Sequence, residues 1–391
     1  MAGGLDAAGH FLELRWLSGW RVAGYARMLL LVSVIATLLA LKAALGPDGS
    51  DFLAFWSAGR LVLSGHPAAA YDLAATGAIQ AGVGRHDVFA FVNPPPLLLA
   101  VWPLGALSFP AAWLAWVTMT YLLWLAVSRP LIGRYPWPLA AYPGALLAAT
   151  HAQTGFVTSA LQAGVARLIE RRPFAAGLCL GALVIKPHLA VLFPVALAAD
   201  RRWRTFLGAG LGVALWLALA WALLGSETML AYRQSWAVSR LLMSEDDPVF
   251  FLRQATVYAQ FRAWGLPAAA SVVQGLATLG AVALTWRGWA GRAPLAAKFA
   301  LLYALTPLAT PYLFNYDLPF LALPTLWLVS EAARSPRHRF ERLELVALYL
   351  APALARAAAL PLHVNLTPLV CVWMAWRVWQ RIRAAEAANP A

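Results

Sequence analysis

Long uninterrupted apolar runs are the feature that most limits how this chain can fold. LLLVSVIATLLALKAALG begins at Leu29, and FLGAGLGVALWLALAWALLG begins at Phe206. Each approaches the roughly 20 apolar residues that a helix needs to cross the hydrocarbon of a bilayer. Only 12% of the residues are charged, whereas a soluble domain carries about 25%. The chain therefore has too few charges for a water-facing surface, and the sequence predicts an integral membrane protein.

The basic residues stand in short clusters at the ends of apolar runs, although the formal net charge is +13. Such clusters mark the cytoplasmic ends of membrane helices by the positive-inside rule. A nucleic-acid-binding surface would instead gather its cations on one face. We therefore expect membrane lipids as partners and no nucleic acid. The clusters are Arg171 and Arg172; Arg201, Arg202 and Arg204; Arg287, Arg292 and Lys298; Arg334, Arg337, Arg339 and Arg342; and Arg377, Arg381 and Arg383.

The hydropathy pattern predicts an all-α polytopic membrane protein that forms one domain over residues 1–391. We expect about twelve crossings. An even number follows if both termini are cytoplasmic, so one short segment, 94–107 or 137–150, would be a half-helix. The candidate segments are 29–46, 94–107, 109–128, 137–150, 153–170, 173–185, 187–199, 205–224, 267–286, 295–311, 314–330, 343–358 and 361–380.

Two stretches are neither apolar nor short, at residues 47–93 and 225–266. Alternation from the cytoplasmic clusters places both on the outer side of the membrane. The acidic residues agree with this assignment, since Asp48, Asp51, Asp72, Asp87, Glu227, Glu245, Asp246, Asp247 and Asp317 all fall on that side. The sequence therefore predicts a first outer loop and a second large outer loop.

The first outer loop contains the pattern of a short amphipathic helix. Ser50 could cap it, and Phe52, Phe55, Trp56, Gly59 and Val62 recur at helical spacing, which suits a helix lying on the membrane surface. Asp51 begins that helix. Its carboxylate could act as a general base at the lipid interface. Alternatively, it could only stabilise the first turn through the helix dipole.

Five blocks give the chain a family resemblance between about Asp51 and Pro324. In order they are DFLAFWSAGRLVLSGHPAAAYD, FVNPPPLLLAVWPLGALSFPAAW, HAQTGFVTSAL, RRPFAAGLCLGALVIKPHLAVLFPVALAADRRWR and TPYLFNYDLPFLALP. Their combination resembles glycosyltransferase family 87, which includes mycobacterial polyprenyl-phosphate-mannose-dependent mannosyltransferases. The resemblance implies a GT-C-type bundle in which an aspartate of the first outer loop is the catalytic base. Asp51 matches that aspartate.

The resemblance also implies a reaction and a place. A hexose, mannose in the first instance, would move from a polyprenyl-phosphate donor to a lipid or glycan acceptor with inversion. The active site would face the extracytoplasmic side of a multi-pass protein in the inner (plasma) membrane, in the cell envelope. The lipid-linked sugar is a substrate, and neither a cofactor nor a nucleotide is implied.

A departing polyprenyl phosphate needs a cation, because its charge is poorly solvated at a membrane surface. Lys186 and His188 in IKPHLAV are candidates, and their turn should face the side that carries Asp51. Arg60 in the first outer loop could also contact phosphate. Alternatively, Lys186 could simply snorkel from a helix end.

Other residues could bind substrate. Pro311 breaks an apolar run beside TPYLFNYDLP, where tyrosines and a carboxylate could bind sugar hydroxyls or, alternatively, form an interfacial aromatic belt. Asp72 could instead cap the next helix. His151 departs from the family pattern, so its role is in doubt, and Arg233, Arg240 and Arg253 fit solvated loop charges. The substrate-binding candidates are Tyr71, Asp72, Gln153, Tyr312, Tyr316 and Asp317.

Several chemistries have no support in the sequence. It contains no GxxxxGK[ST] and no HExxH, so ATP hydrolysis and zinc proteolysis are not indicated. Glu245, Asp246 and Asp247 fit a solvated loop better than a cation site, and we assign no metal. Two rival functions remain open. They are a transporter or lipid flippase, and a ligase of lipid-linked glycans whose machinery would occupy residues 225–266.

Overall fold

The computed structural model describes residues 13–47, 49–84, 87–244, 247–335 and 338–388. Asp48, Glu245, Asp246 and Arg337 lie outside these ranges. Over the described residues the chain is helical, and its only β-type pairing is a single bridge between Gln254 and Phe314. The all-α prediction is confirmed.

Eighteen α-helices follow one another in the described ranges. The first nine are α1 Gly19–Ala44, α2 Phe52–Leu63, α3 Leu73–Ala81, α4 Leu98–Val101, α5 Phe109–Ile132, α6 Pro136–Ala140, α7 Pro143–His151, α8 Gly155–Leu168 and α9 Pro173–Gly181. The others are α10 Phe193–Ala199, α11 Trp203–Ser244, α12 Pro248–Leu252, α13 Val257–Ala263, α14 Pro267–Ala290, α15 Leu295–Ala309, α16 Ala322–Arg334, α17 Glu341–Leu362 and α18 Thr367–Ala388.

Short 3₁₀ helices join several of these elements. They occupy Pro67–Tyr71, Pro95–Leu97, Trp102–Ala106, Ala182–Ile185, Pro187–Ala190 and Asn315–Leu321.

Five of the described helices are long and apolar enough to cross a membrane. They are α1, α5, the Trp203–Leu241 part of α11, α14 and α17. The other apolar helices are shorter, so the expected count of about twelve crossings is not confirmed. In α1 only 6% of the most apolar window is buried, and large apolar side chains such as Met28, Leu31 and Leu38 are exposed. Apolar exposure of this extent is what a lipid-facing helix presents.

Helix α15 is the opposite case, because it is buried on every side from Ala297 to Ala309. At 15 residues it is about 22 Å long, which is shorter than the hydrocarbon core of a bilayer. The chain leaves α15 at Thr310, passes through the 3₁₀ helix Asn315–Leu321 and continues into α16. The interior of the bundle therefore contains a break in helical structure, as the Pro311 signal predicted.

Both segments proposed as a half-helix are broken. Residues 94–107 form two 3₁₀ helices around the four-residue α4, and residues 137–150 form α6 and α7. Proline stands in the first turn of α6, α7 and both 3₁₀ helices of the first segment, where its missing N–H is tolerated. A further break at Lys186 separates α9 from α10.

The second large outer loop is more ordered than its polarity suggests. Helix α11 passes through Gly225, where φ is 80° and ψ is 163°, a backbone conformation that glycine adopts without steric cost. The 22 residues before this break are about 33 Å long and suffice to cross the bilayer. The residues after it continue as helix to Ser244, and α12 and α13 follow.

Helix α2 forms where the pattern of the first outer loop predicts it. The prediction that it lies on the membrane surface with one face exposed is wrong. Every residue from Phe52 to Gly59 is buried, and Arg60 is exposed. Phe52 and Trp56 both pack against Phe109 of α5, with ring centroids 5.9 and 5.8 Å apart. Protein therefore surrounds α2, and the helix does not lie free on a lipid surface.

Candidate active site

Asp51 stands at the N-terminus of α2 with its carboxylate uncommitted. Ser50 Oγ accepts a hydrogen bond from the Phe52 N–H at 3.3 Å, whereas the Asp51 side chain accepts no capping bond. Among the described residues none forms a hydrogen bond or ion pair with this half-buried carboxylate. The geometry leaves Asp51 available to a substrate.

The break after α15 brings Tyr312 and Tyr316 within electrostatic reach of Asp51. Burial raises the pKa of Tyr312 and Tyr316, and the nearby carboxylates of Asp317 and Asp51 raise it further. The rings of Phe314 and Tyr316 are stacked, with centroids 5.0 Å apart and an angle of 6° between their planes. Residues from opposite ends of the sequence thus meet, as the outer-side assignment predicts.

Lys186 forms a buried ion pair with Asp317. Its Nζ lies 2.7 Å from Asp317 Oδ1, and the side chains are 8% and 1% exposed. The ammonium also lies 4.9 Å from the centroid of the Tyr316 ring. Burial raises the pKa of Asp317, an effect that the Lys186 charge partly offsets. Lys186 does not snorkel to water, but its charge is already engaged by a carboxylate.

His188 lies on the same turn and is a neutral group. Its ring centroid is 5.5 Å from that of Tyr312. Burial lowers the pKa of His188 to about 3, and the Lys186 charge contributes in the same direction. Its Nε2 is buried without a partner among the described residues, and so is Asp317 Oδ2. His188 can therefore serve a substrate as a hydrogen-bonding group near neutral pH but not as a cation.

The HAQTG block forms another wall of this site. The His151 ring centroid is 5.6 Å from that of Tyr316, and Ala152 adopts the left-handed conformation that separates α7 from α8. A Cβ added to Gly155 would collide with the carbonyl oxygen of Tyr316. His151, whose role the sequence left in doubt, therefore lies at the site.

Aromatic packing ties α2 to this block. The Phe55 and Trp116 rings have centroids 6.0 Å apart, and the Trp116 indole N–H donates to the carbonyl oxygen of Gln153 at 3.4 Å. Gln153 itself is buried. One hydrophobic cluster holds α2 residues together with Ala152 and Ile185. The helix that begins at Asp51 is thus fixed against both the HAQTG and the IKPH segments.

Arg60 is not brought to this cluster. It lies nine residues after Asp51, about 13 Å along the helix axis, and its guanidinium stacks 5.1 Å from the Trp56 ring centroid. Asp51 and Arg60 therefore lie at opposite ends of α2, and donor binding by Arg60 stays a prediction.

Tyr71 and Asp72 have structural partners. The Tyr71 hydroxyl donates to the Asn93 carbonyl oxygen at 2.9 Å, and its ring packs against Tyr232. Asp72 Oδ1 accepts from the Ala74 N–H at 2.8 Å and caps α3. Asp72 therefore caps the next helix, as the alternative proposed. Substrate binding by Tyr71 and Asp72 stays a prediction.

A buried amide cluster, which the sequence analysis missed, holds the segment that bears Tyr316 and Asp317. Asn315 Nδ2 donates to the Arg253 carbonyl oxygen at 2.7 Å, and Asn365 Nδ2 donates to the Gln254 carbonyl oxygen at 2.8 Å. Thr367 Oγ1 donates to Asn315 Oδ1 at 3.4 Å. In the sequence, the only sign of this cluster was Asn315 within an otherwise apolar break. This cluster positions the site from the second large outer loop and from the α17–α18 turn.

No group of three or more metal-ligating side chains occurs among the described residues. A cavity of about 700 Å³ lies away from this site. It lies beside α18 and is lined by His338, Trp376, Arg377, Trp379, Gln380, Arg383 and Ala384.

Comparison with known proteins gives one match. The family model for Glycosyltransferase family 87 matches residues 91–311, which is more than half of the chain. No curated protein and no solved structure matches. The matched range includes His151, Gln153, Lys186 and His188, whereas Asp51 precedes it.

Proposed function

Because the chain belongs to glycosyltransferase family 87, we propose that this membrane glycosyltransferase moves a hexose from a polyprenyl-phosphate donor to a lipid or glycan acceptor. Mannose is the sugar we propose first. The reaction takes place on the extracytoplasmic face of the plasma membrane. Support for this comes from the family and from the positions of the acidic residues along the sequence.

The observation that carries the proposal is the uncommitted carboxylate of Asp51 beside Tyr312 and Tyr316. The Asp51 carboxylate takes the proton of an acceptor hydroxyl as its oxygen attacks the anomeric carbon. The bond between that carbon and the phosphate oxygen breaks, and its electron pair leaves with the phosphate. Because attack and departure occur on opposite faces of the sugar, the configuration inverts.

The sugar binds against the break after α15. Tyr312 and Tyr316 line this place with aromatic rings, and Asp317 Oδ2 is an acceptor without a partner among the described residues. A buried acceptor of this kind is costly unless it is filled, and a sugar hydroxyl can fill it. Lys186 holds the other oxygen of Asp317, so it favours the ionised form of this carboxyl group and orients it beside the donor.

The test is transfer of radiolabelled hexose from synthetic polyprenyl-phosphate-hexose into lipid extracts by purified protein. Asp51→Asn keeps the size of the side chain and removes the base, so we expect activity to fall by about 10²- to 10⁴-fold. Asp247→Asn is the matched control. Asp247 caps α12 from an exposed position, and asparagine caps a helix about equally well. The control should therefore retain activity.

Two outcomes would count against the proposal. Full activity in Asp51→Asn would remove Asp51 from the role of base. If the wild type moves no label from mannose, glucose or arabinose donors, while a fluorescent polyprenyl lipid crosses vesicles that contain it, the flippase alternative replaces the enzyme.

A further inference from the structure

Arg356 is an ionisable residue within a helix that is long and apolar enough to cross the membrane. It lies in α17, is half-buried, and has no ion pair or hydrogen bond to any residue in the described ranges. A charge in such a segment is costly and usually serves a function. The feature therefore calls for an anionic partner.

The C-terminal end of α17 lies beside the candidate active site. After Leu362 the chain turns toward Asn365, whose side chain is bonded to the carbonyl oxygen of Gln254. The neighbouring Arg253 carbonyl oxygen accepts from Asn315. Arg356 precedes the helix end by six residues, about 9 Å. It is therefore slightly deeper in the membrane than the loop that holds the Tyr316 segment.

Arg253 brings a second cation to this position. Helix α12 ends one residue before Arg253 and packs against α17, so Arg253 lies on the element next to the one that bears Arg356. Arg253 is exposed and, over the described residues, has no carboxylate partner. The nearest acidic residue of that loop in the described sequence, Asp247, is engaged in capping α12. Two guanidinium groups on neighbouring elements repel each other, and an anion between them offsets the repulsion.

The two cations that the sequence suggested for the donor phosphate are paired or lie elsewhere. Lys186 is paired with Asp317, and Arg60 stands at the far end of α2. A phosphate that leaves with the electron pair of the glycosidic bond still needs charge to stabilise it. Arginine binds phosphate through two parallel N–H···O bonds, which gives geometry as well as charge.

We propose that Arg253 and Arg356 together bind the phosphate of a polyprenyl-phosphate lipid. The exposed Arg253 meets the phosphate at the membrane surface, and Arg356 meets it from the bilayer side, where the polyprenyl tail remains. This inference rests on the proposed function in one respect, that the donor is a phosphate linked to a lipid.

The experiment measures binding rather than transfer. Full-length protein in nanodiscs is titrated with polyprenyl phosphate and, separately, with polyprenol, which lacks only the phosphate. We expect the wild type to prefer the phosphate. Arg253→Gln and Arg356→Gln should each weaken phosphate-lipid binding by about tenfold and leave polyprenol binding unchanged. Arg233→Gln removes the same charge from an exposed position of α11 and should bind as the wild type does.

Three results would overturn the proposal. They are wild-type affinity in both glutamine variants, equal loss in Arg233→Gln, and displacement of the probe by equimolar phosphatidylglycerol, which would make the site a general one for anionic lipids. Arg253→Gln keeps the test decisive if Arg356→Gln does not fold, since Arg253 is exposed. Failure of the transfer assay with preserved arginine-dependent binding would defeat the proposed reaction and leave this site intact.

Discussion

Two buried carboxylates, one at each end of the bundle, differ in how completely they are satisfied. At the candidate site, Asp317 uses Oδ1 for Lys186 and leaves Oδ2 without a described partner. Glu344 of α17 uses both oxygens, since Oε1 lies 2.8 Å from Arg377 Nε and Oε2 lies 2.8 Å from His338 Nε2. Buried polar atoms are normally paired. The unfilled acceptor therefore indicates a place for a ligand, and the filled one indicates a clamp between helices.

The two regions are far apart along the same helices. Glu341 and Glu344 begin α17, whereas Leu362 ends it near the site, and 22 helical residues measure about 33 Å. Arg381 of α18 donates to Glu341 at 2.5 Å and to the Ser335 carbonyl oxygen at 2.6 Å. The 700 Å³ cavity adjoins this network, whose polar groups are paired.

The largest effect expected from this comparison is all-or-none labelling of the two ends. In a background where Cys179 and Cys371 are replaced by alanine, a cysteine at Asp247 should react with an impermeant maleimide added from outside. A cysteine at Arg383 should react only after permeabilisation, because it lies at the end of α18 remote from the site. The reverse pattern would overturn the membrane topology. Position 337, which the sequence also assigns to the inside, lies outside the described residues.

A smaller difference is expected between the two ion pairs. Lys186→Ala leaves Asp317 buried without its only described cation, and the free energy of unfolding should fall by about 3–5 kcal/mol. Glu344→Gln should cost about 1–2 kcal/mol, since Arg377 also donates to Gln380 at 2.6 Å. Thermal unfolding in detergent, with the wild type in parallel, measures both.

Kinetics sharpen the same comparison. Lys186→Ala should raise KM for the donor more than KM for the acceptor, whereas Glu344→Gln should change neither. An effect of Lys186→Ala on the acceptor alone would argue against its place beside the donor.

The smallest effect concerns pH. The unfolded imidazole of His188 takes up a proton near pH 6.5, but burial keeps the pKa of the folded form at about 3. The unfolded chain then binds more protons, so this contribution to stability is complete above pH 6.5 and is lost as pH falls toward 3. Between pH 7 and pH 5 the wild type should lose about 1–2 kcal/mol more than His188→Gln. If the free energy of unfolding changes equally with pH in both proteins, the folded protein protonates His188 as readily as the unfolded chain does.

Hydropathy located the longest helices but not their ends. The first was predicted at residues 29–46 and is observed at Gly19–Ala44. Arginines in its early turns do not end it, because Arg27 stacks 4.6 Å from the Trp137 ring centroid. A hydropathy profile ends a segment where charged residues begin. The helix itself continues through them, because their long side chains reach partners or solvent.

At the site, the sequence predicted which segments would meet but not how their side chains would pair. Asp51, Lys186, His188 and the Tyr316 segment do come together. The pairing of Lys186 with Asp317 joins residues 131 positions apart, and no local pattern encodes such a contact. Burial of α2 was missed for the same reason, since its neighbours lie elsewhere in the sequence.

Gly155 has a consequence for how this site can change. The wall formed by HAQTG touches the Tyr316 backbone where the glycine has no side chain, so the separation of the two segments is determined by an empty volume smaller than a methyl group. Chemical groups such as Asp51 or Asp317 can be exchanged one at a time, and each exchange alters one interaction. A side chain at position 155 would displace the whole wall at once, so the absence of a Cβ there sets the width of the candidate site.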